Sequence, residues 1–178
     1  MSITDRLNEL MLSYYREARK CTRGKAYLAA TVMHVAAFAA GLQTMCFLYP
    51  EEVRKTAVYR NKRFRAKRFK PLELSLYQLI NIADELSWFP PKRFTWAGKR
   101  ATVGGFSHEI RKVRNFVHPG EWARERSDPL KFTKGVYGVV DEVIDVANSW
   151  LLHRVERTLL RAMARQKRAS KSGQSATP

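Results

Sequence analysis

The sequence predicts an all-α protein: an antiparallel bundle of four to five helices with a long C-terminal helix. Three observations carry that expectation. Apolar residues recur at helical spacing, as in Ile3, Leu7, Leu10, Tyr14 and Ala18. An Ala-rich stretch from Ala26 to Tyr49 has no formally charged side chain. Breaking residues (Gly24, Pro50, Pro90–Pro91) fall between the periodic runs and not inside them.

The first helix is expected over Ser2–Lys20, opened by Ser2 and Asp5 at the spacing of a capping box. The Ala-rich stretch follows as a second helix. Its length would span a bilayer, but Ala contributes little to insertion, and His34 opposes it. It reads as a central bundle helix, and no membrane association is expected. Glu51–Lys70 is different in kind. Arg54, Lys55, Arg60, Lys62, Arg63, Arg65, Lys67, Arg68 and Lys70 follow Val53 with no acid among them, and Tyr59, Phe64 and Phe69 are interleaved. Basic side chains neutralise phosphates and aromatic rings stack on unpaired bases, so Arg60, Lys62, Arg63, Phe64, Arg65, Lys67 and Arg68 are the candidate nucleic-acid contacts.

Pro71 suits a helix first turn, and Leu72, Leu76, Leu79, Ile80, Ala83 and Leu86 mark a third helix. Lys92–Gly105 reads as a loop; Gly104–Gly105 lacks the Lys-Ser/Thr pair of a phosphate loop. Asp128 and Pro129 form a cap and first-turn pair. They open a last helix to about Arg165, with Phe132, Val136, Val139, Val143, Val146, Trp150, Leu160 and Met163 on its inner side. Gly135 and Gly138 suggest a close neighbouring helix. Asp141, Glu142 and Asp145 form an acidic cluster that reads as a solvated face, with no His placed to complete a metal shell; neither metal nor cofactor is expected. Residues 1–165 therefore form one helical domain, and 166–178 a disordered basic tail.

The charge is +17, from 33 basic and 16 acidic residues, which points to nucleic acid or another anionic partner. Cys21 and Cys46 have no metal spacing and read as small apolar residues of a reducing compartment. Met1–Glu9 has neither the basic start nor the apolar run of a signal peptide, so a cytoplasmic protein is expected.

The chemistry concentrates in Ser107–Gly120. On a helix, Arg111, Arg114 and His118 share one row with Asn115 beside it, and Ile110, Val113 and Val117 form an adjacent apolar row. Pro119 should end the helix at His118. There the helix dipole favours imidazolium, and two guanidinium groups beside it suit a phosphodiester.

Arg114-Asn115-Phe116-Val117-His118-Pro119 resembles the Arg-polar-…-His motif of the HEPN superfamily, all-helical domains of ribonuclease toxins, phage-defence proteins and partners of nucleotidyltransferases. Leu76–Ala83 resembles the helix that commonly precedes it. The Arg114-to-His118 gap is shorter than the family's usual one, and Arg111 offers a longer gap to His118. The resemblance implies an RNA-binding, metal-independent endoribonuclease acting as a homodimer, with Arg114, Asn115, His118 and Arg111 as catalytic residues. It also implies an antitoxin or nucleotidyltransferase partner. The alternative is a catalytically inert HEPN-like module that binds a partner protein or nucleic acid.

Overall fold

The computed structural model describes residues 1–60, 70–96, 99–115 and 133–174. Among these residues seven α-helices and a small two-stranded sheet form the expected all-α bundle with an extended last helix. In chain order they are α1 (Ile3–Arg23), α2 (Tyr27–Leu48), α3 (Pro50–Val53), α4 (Ala57–Arg60), α5 (Leu76–Glu85), α6 (Val103–Asn115) and α7 (Lys134–Gln174), with β1 (Arg93–Trp96) and β2 (Lys99–Thr102) between α5 and α6.

The capping box at α1 is present in both halves. Ser2 Oγ accepts the Asp5 N–H at 3.1 Å, and Asp5 Oδ2 accepts the Ser2 N–H at 2.8 Å. After α1 the left-handed backbone is taken by Lys25, at φ 59°, and not by Gly24, at φ −78°.

α2 is the organising element and packs against α1, α5, α6 and α7. Its buried Thr31 and Thr44 hydroxyls donate to the carbonyls of Tyr27 and Ala40, both at 3.0 Å, so neither leaves an unpaired group in the core. A Cβ on Gly41 would lie 3.4 Å from both Asn148 Oδ1 and Met11 Sδ, so this glycine lets α1 and α7 close on α2. Among the described residues α2 is the one helix long and apolar enough to cross a membrane, and most of it is buried inside the bundle.

The third helix starts later than Pro71 suggests. Pro71 opens a single 3-10 turn, and α5 begins only after Ser75, which forms its own capping box with Gln78. The expected loop after Pro91 is partly an antiparallel hairpin pairing Arg93 with Thr102 and Phe94 with Ala101. Phe94 is buried edge-on against Phe106 of α6, at 6.0 Å between centroids, so the hairpin closes one end of the core. Gly104 falls in the first turn of α6, where any Cβ would collide with the Asp84 carboxylate at the end of α5.

The last helix also departs from the sequence reading. Its buried side runs through Tyr137, Val140, Val143, Ile144, Ala147 and Leu151, whereas Leu160 and Met163 are each 65% exposed. The apolar periodicity continues past the end of the bundle, so spacing alone places these two inside. Gly138 has open space where a Cβ would stand, and Gly135 meets only Thr133 Oγ1 at 3.7 Å, so neither marks a helix crossing. Helical backbone runs through Gln174, beyond the start of the expected disordered tail at Gln166. Phe132 and the Asp128–Pro129 start lie outside the described residues. α7 is pinned to the end of α2 and to α3: Arg154 Nη2 donates to Glu52 Oε2 at 2.8 Å, and the Tyr49 hydroxyl donates to Thr158 Oγ1 at 3.0 Å.

Candidate functional site

α6 carries the motif. Val103, Phe106 and Ile110 fix its inner face, and Ser107 donates its buried hydroxyl to the Val103 carbonyl at 2.8 Å. The packing of α6 on α5 gathers Tyr77, His108 and Arg111. The Tyr77 and His108 rings are 5.2 Å apart at 47°, and the Arg111 guanidinium carbon stands 5.3 Å from the Tyr77 ring centre. This is cation–π distance, worth about 0.5–1 kcal/mol at an exposed site. Arg111 is partly buried, and its Nε has no hydrogen-bond partner. Its guanidinium stands over Tyr77, a residue half exposed on α5. Arg114 and Asn115 continue the helix by backbone one turn further on; their side chains, and all of His118, lie outside what is described.

Of the basic segment, Arg60 ends α4 and is exposed. Lys62, Arg63, Phe64, Arg65, Lys67 and Arg68 lie outside the described residues. Two flanking charges are already paired locally, Arg54 with Glu51 at 3.8 Å and Lys70 with Glu73. Tyr59 does not serve as a stacking platform: it is buried in the core, and burial pushes its hydroxyl up to about 12.

A second polar group joins α1, α2 and α7, and the sequence did not reveal it. His34, midway along α2, has a side chain only 4% exposed, and its Nδ1 lies 3.0 Å from Asp141 Oδ1. The two atoms are close without the alignment of a hydrogen bond, and Nδ1 makes none. The Tyr137 hydroxyl donates to the same Oδ1 at 3.3 Å. The Tyr15 and Tyr137 rings flank the imidazole at 5.2 and 5.6 Å, and the Asn148 amide donates to the Tyr15 hydroxyl. A cleft of about 510 Å³ opens over this group, lined also by Arg19, Thr22, Arg23 and Asp145. Asp141 is drawn to the half-buried edge of that face by His34 of α2, while Glu142 and Asp145 stay on the solvated face expected of them. Among the described residues no three His, Cys, Asp or Glu side chains are arranged to hold a metal ion.

Burial lowers the His34 pKa, against the opposing pull of Asp141 and Asp145. Burial, and then the Asp141 charge, raise that of Asp145. Burial therefore favours the neutral imidazole in the folded chain. Below the ordinary histidine pKa, about 6.5, the unfolded chain binds a proton that the folded chain refuses. Stability falls as pH drops through this window, with a limit near 1.4 kcal/mol per pH unit for one proton. Asp145 acts with the opposite sign at lower pH, between the ordinary carboxylate range and its raised value. Urea unfolding at pH 7, 6 and 5 should show the decline, and His34→Gln should flatten it. An equal slope in the variant would assign the acid sensitivity to other groups.

Cys46 is buried and its thiol is pushed up to about 12, while Cys21 is half exposed and both are free thiols. The Cys46 thiol is therefore not a nucleophile of the kind that a lowered thiol pKa produces. The chain matches no known family model, no curated protein and no solved structure.

Proposed function

We propose that this protein binds RNA as a cytoplasmic HEPN-like helical bundle and cleaves it without a metal. Arg114 holds the scissile phosphate. The adjacent ribose 2′-hydroxyl attacks phosphorus, the 5′-oxygen leaves, and a 2′,3′-cyclic phosphate remains; His118 moves the protons, with Asn115 beside the pair. The reading includes a homodimer that assembles the site from two motif copies, and an antitoxin or nucleotidyltransferase partner. What supports it is the motif itself: Arg114, Asn115 and His118 follow one another at helical spacing, and α6 is helical through Asn115. An excess of 17 positive charges supplies the attraction for an RNA backbone.

One observation favours the inert interaction module. Arg111 is partly buried and faces Tyr77, so it braces the α5–α6 pair and leaves Arg114 alone for phosphate. Dimer formation tests the composite site. Sedimentation showing only monomer at high concentration, with and without RNA, would favour the module.

Binding itself is tested by salt. Changing Arg63, Lys67 and Arg68 together to Ala should reduce the magnitude of the log–log salt slope of RNA affinity by about two to three, one phosphate for each residue. An unchanged slope and affinity would move the RNA surface away from the segment between α4 and α5.

A further inference from the structure

We propose that the cleft between α1 and α7 is a binding site for a small organic cation, a primary ammonium compound with an apolar arm, held between Asp141 and Asp145 above His34. The site is built from α1, α2 and α7 and is independent of the motif on α6.

The first argument is an imbalance of charge. The chain has 33 basic side chains for 16 acids, so an acid without a cation is unusual. Among the described residues Asp145 has no Lys or Arg within 4 Å, and Asp141 has only His34; Arg19 and Arg23 line the cleft without forming an ion pair with either acid. His34 is too buried to carry a charge readily. The two carboxylates stand one helical turn apart on the same face of α7 and repel each other. A cation between them removes that repulsion.

The second argument is the imidazole. Its side chain is more than nine-tenths buried, it lines the cleft, and its Nδ1 is 3.0 Å from a carboxylate without a hydrogen bond. A buried ring nitrogen without a hydrogen bond carries a cost. An ammonium group has three donors; it can reach the carboxylates and draw Asp141 into line. Tyr15 adds an aromatic wall that favours a cation. The lack of a three-ligand arrangement argues against a metal ion here.

The third argument is what lies beside the cleft. A groove of about 520 Å³ continues from it along α1, α2 and α7, sharing Tyr15, Arg19 and Asp145. Met11, Leu12, Met45, Leu48 and Leu152 line it, and Leu12, Leu48 and Leu152 are exposed. A hydrocarbon arm extending from the ammonium would cover them. Arg19 borders both spaces on an exposed stretch of α1. Its charge already acts on Asp145, against the burial that raises that pKa, so it is the internal competitor of a bound cation.

Calorimetric titration of the full chain with hexylamine tests the proposal, with hexanol and hexanoate as uncharged and anionic counterparts and Zn²⁺ as the metal arm. Saturable binding of hexylamine at one site, weakened about tenfold or more in Asp145→Asn and in Asp141→Asn, is expected; tenfold corresponds to about 1.4 kcal/mol. Asp145 is exposed and repelled by Asp141, so its Asn variant should melt no lower than the wild type. Arg19→Ala should bind hexylamine more tightly. Hexanol binding as well as hexylamine would reduce the site to an apolar groove. Zn²⁺ binding with hexylamine inert would make it a metal site. No saturable hexylamine binding up to about 10 mM, an affinity weaker than about −2.7 kcal/mol, would overturn it outright.

Discussion

His118→Ala is expected to lower RNA cleavage by about a hundredfold to ten-thousandfold, the usual cost of losing a positioned acid–base group. Arg114→Ala should also abolish it, by a different route. Arginine presents a planar fork that binds phosphate bidentately, whereas imidazole moves protons near neutral pH without a large pKa shift. RNA affinity should change little in His118→Ala, because the basic residues between Arg60 and Lys70 are untouched. Cleavage should survive EDTA, leave a cyclic phosphate end and vanish on 2′-deoxy substrates, since the proposed nucleophile is the 2′-hydroxyl. A purified dimer that binds RNA but cuts nothing in a broad pool would end the nuclease reading and leave the interaction module. Arg111→Ala separates the two arginines. It removes the contact with Tyr77, so it should lower the melting temperature more than it lowers cleavage.

Local signals were the ones legible in the sequence. Ser2 and Asp5 lie three residues apart and form the capping box their spacing implies. Pro50 starts the short α3 directly after α2. Uncharged Ala26–Tyr49 reads as a central helix, and α2 is the helix that the other long helices pack against. The hairpin at Arg93–Thr102 escaped because each strand has only four residues, too few for alternation to stand out from an irregular loop. Leu160 and Met163 were misplaced because helical spacing records a face and not where the partner helix stops. The His34 cluster was illegible for a further reason. His34 and Asp141 are far apart in sequence, and only the packing of α2 on α7 makes them neighbours. An acidic row on α7 is ambiguous until the opposite helix is in place. For the motif the situation is reversed: Arg111 and its setting on α6 are described, while the side chain of Arg114 and all of His118 lie outside the described residues.

Trp88→Ala should destabilise the fold by about 3–5 kcal/mol, the range for truncating a buried tryptophan. Trp88 is 0% exposed and is among the largest fully buried side chains. Its ring lies 6.0 Å from Tyr49 at the end of α2, so it joins the turn after α5 to the central helix. The backbone presents it deliberately: Ser87 takes a left-handed φ of 51°, and the Trp88 N–H donates to the Ala83 carbonyl at 2.7 Å. One feature works against the residue. Its indole Nε1 is buried without a hydrogen-bond partner, which costs about 1–3 kcal/mol relative to a satisfied donor. Trp88→Phe removes that donor along with part of the ring, so the lost packing and the relieved penalty partly offset each other. It should cost clearly less than Trp88→Ala. Urea unfolding measures both, with an unchanged slope showing that the native and unfolded states remain comparable. A loss below about 1 kcal/mol in Trp88→Ala, within the ordinary range for a single substitution, would mean that the space closes by rearrangement of α5 against α2. Phenylalanine proving as costly as alanine would mean that the indole N–H has a partner in solution.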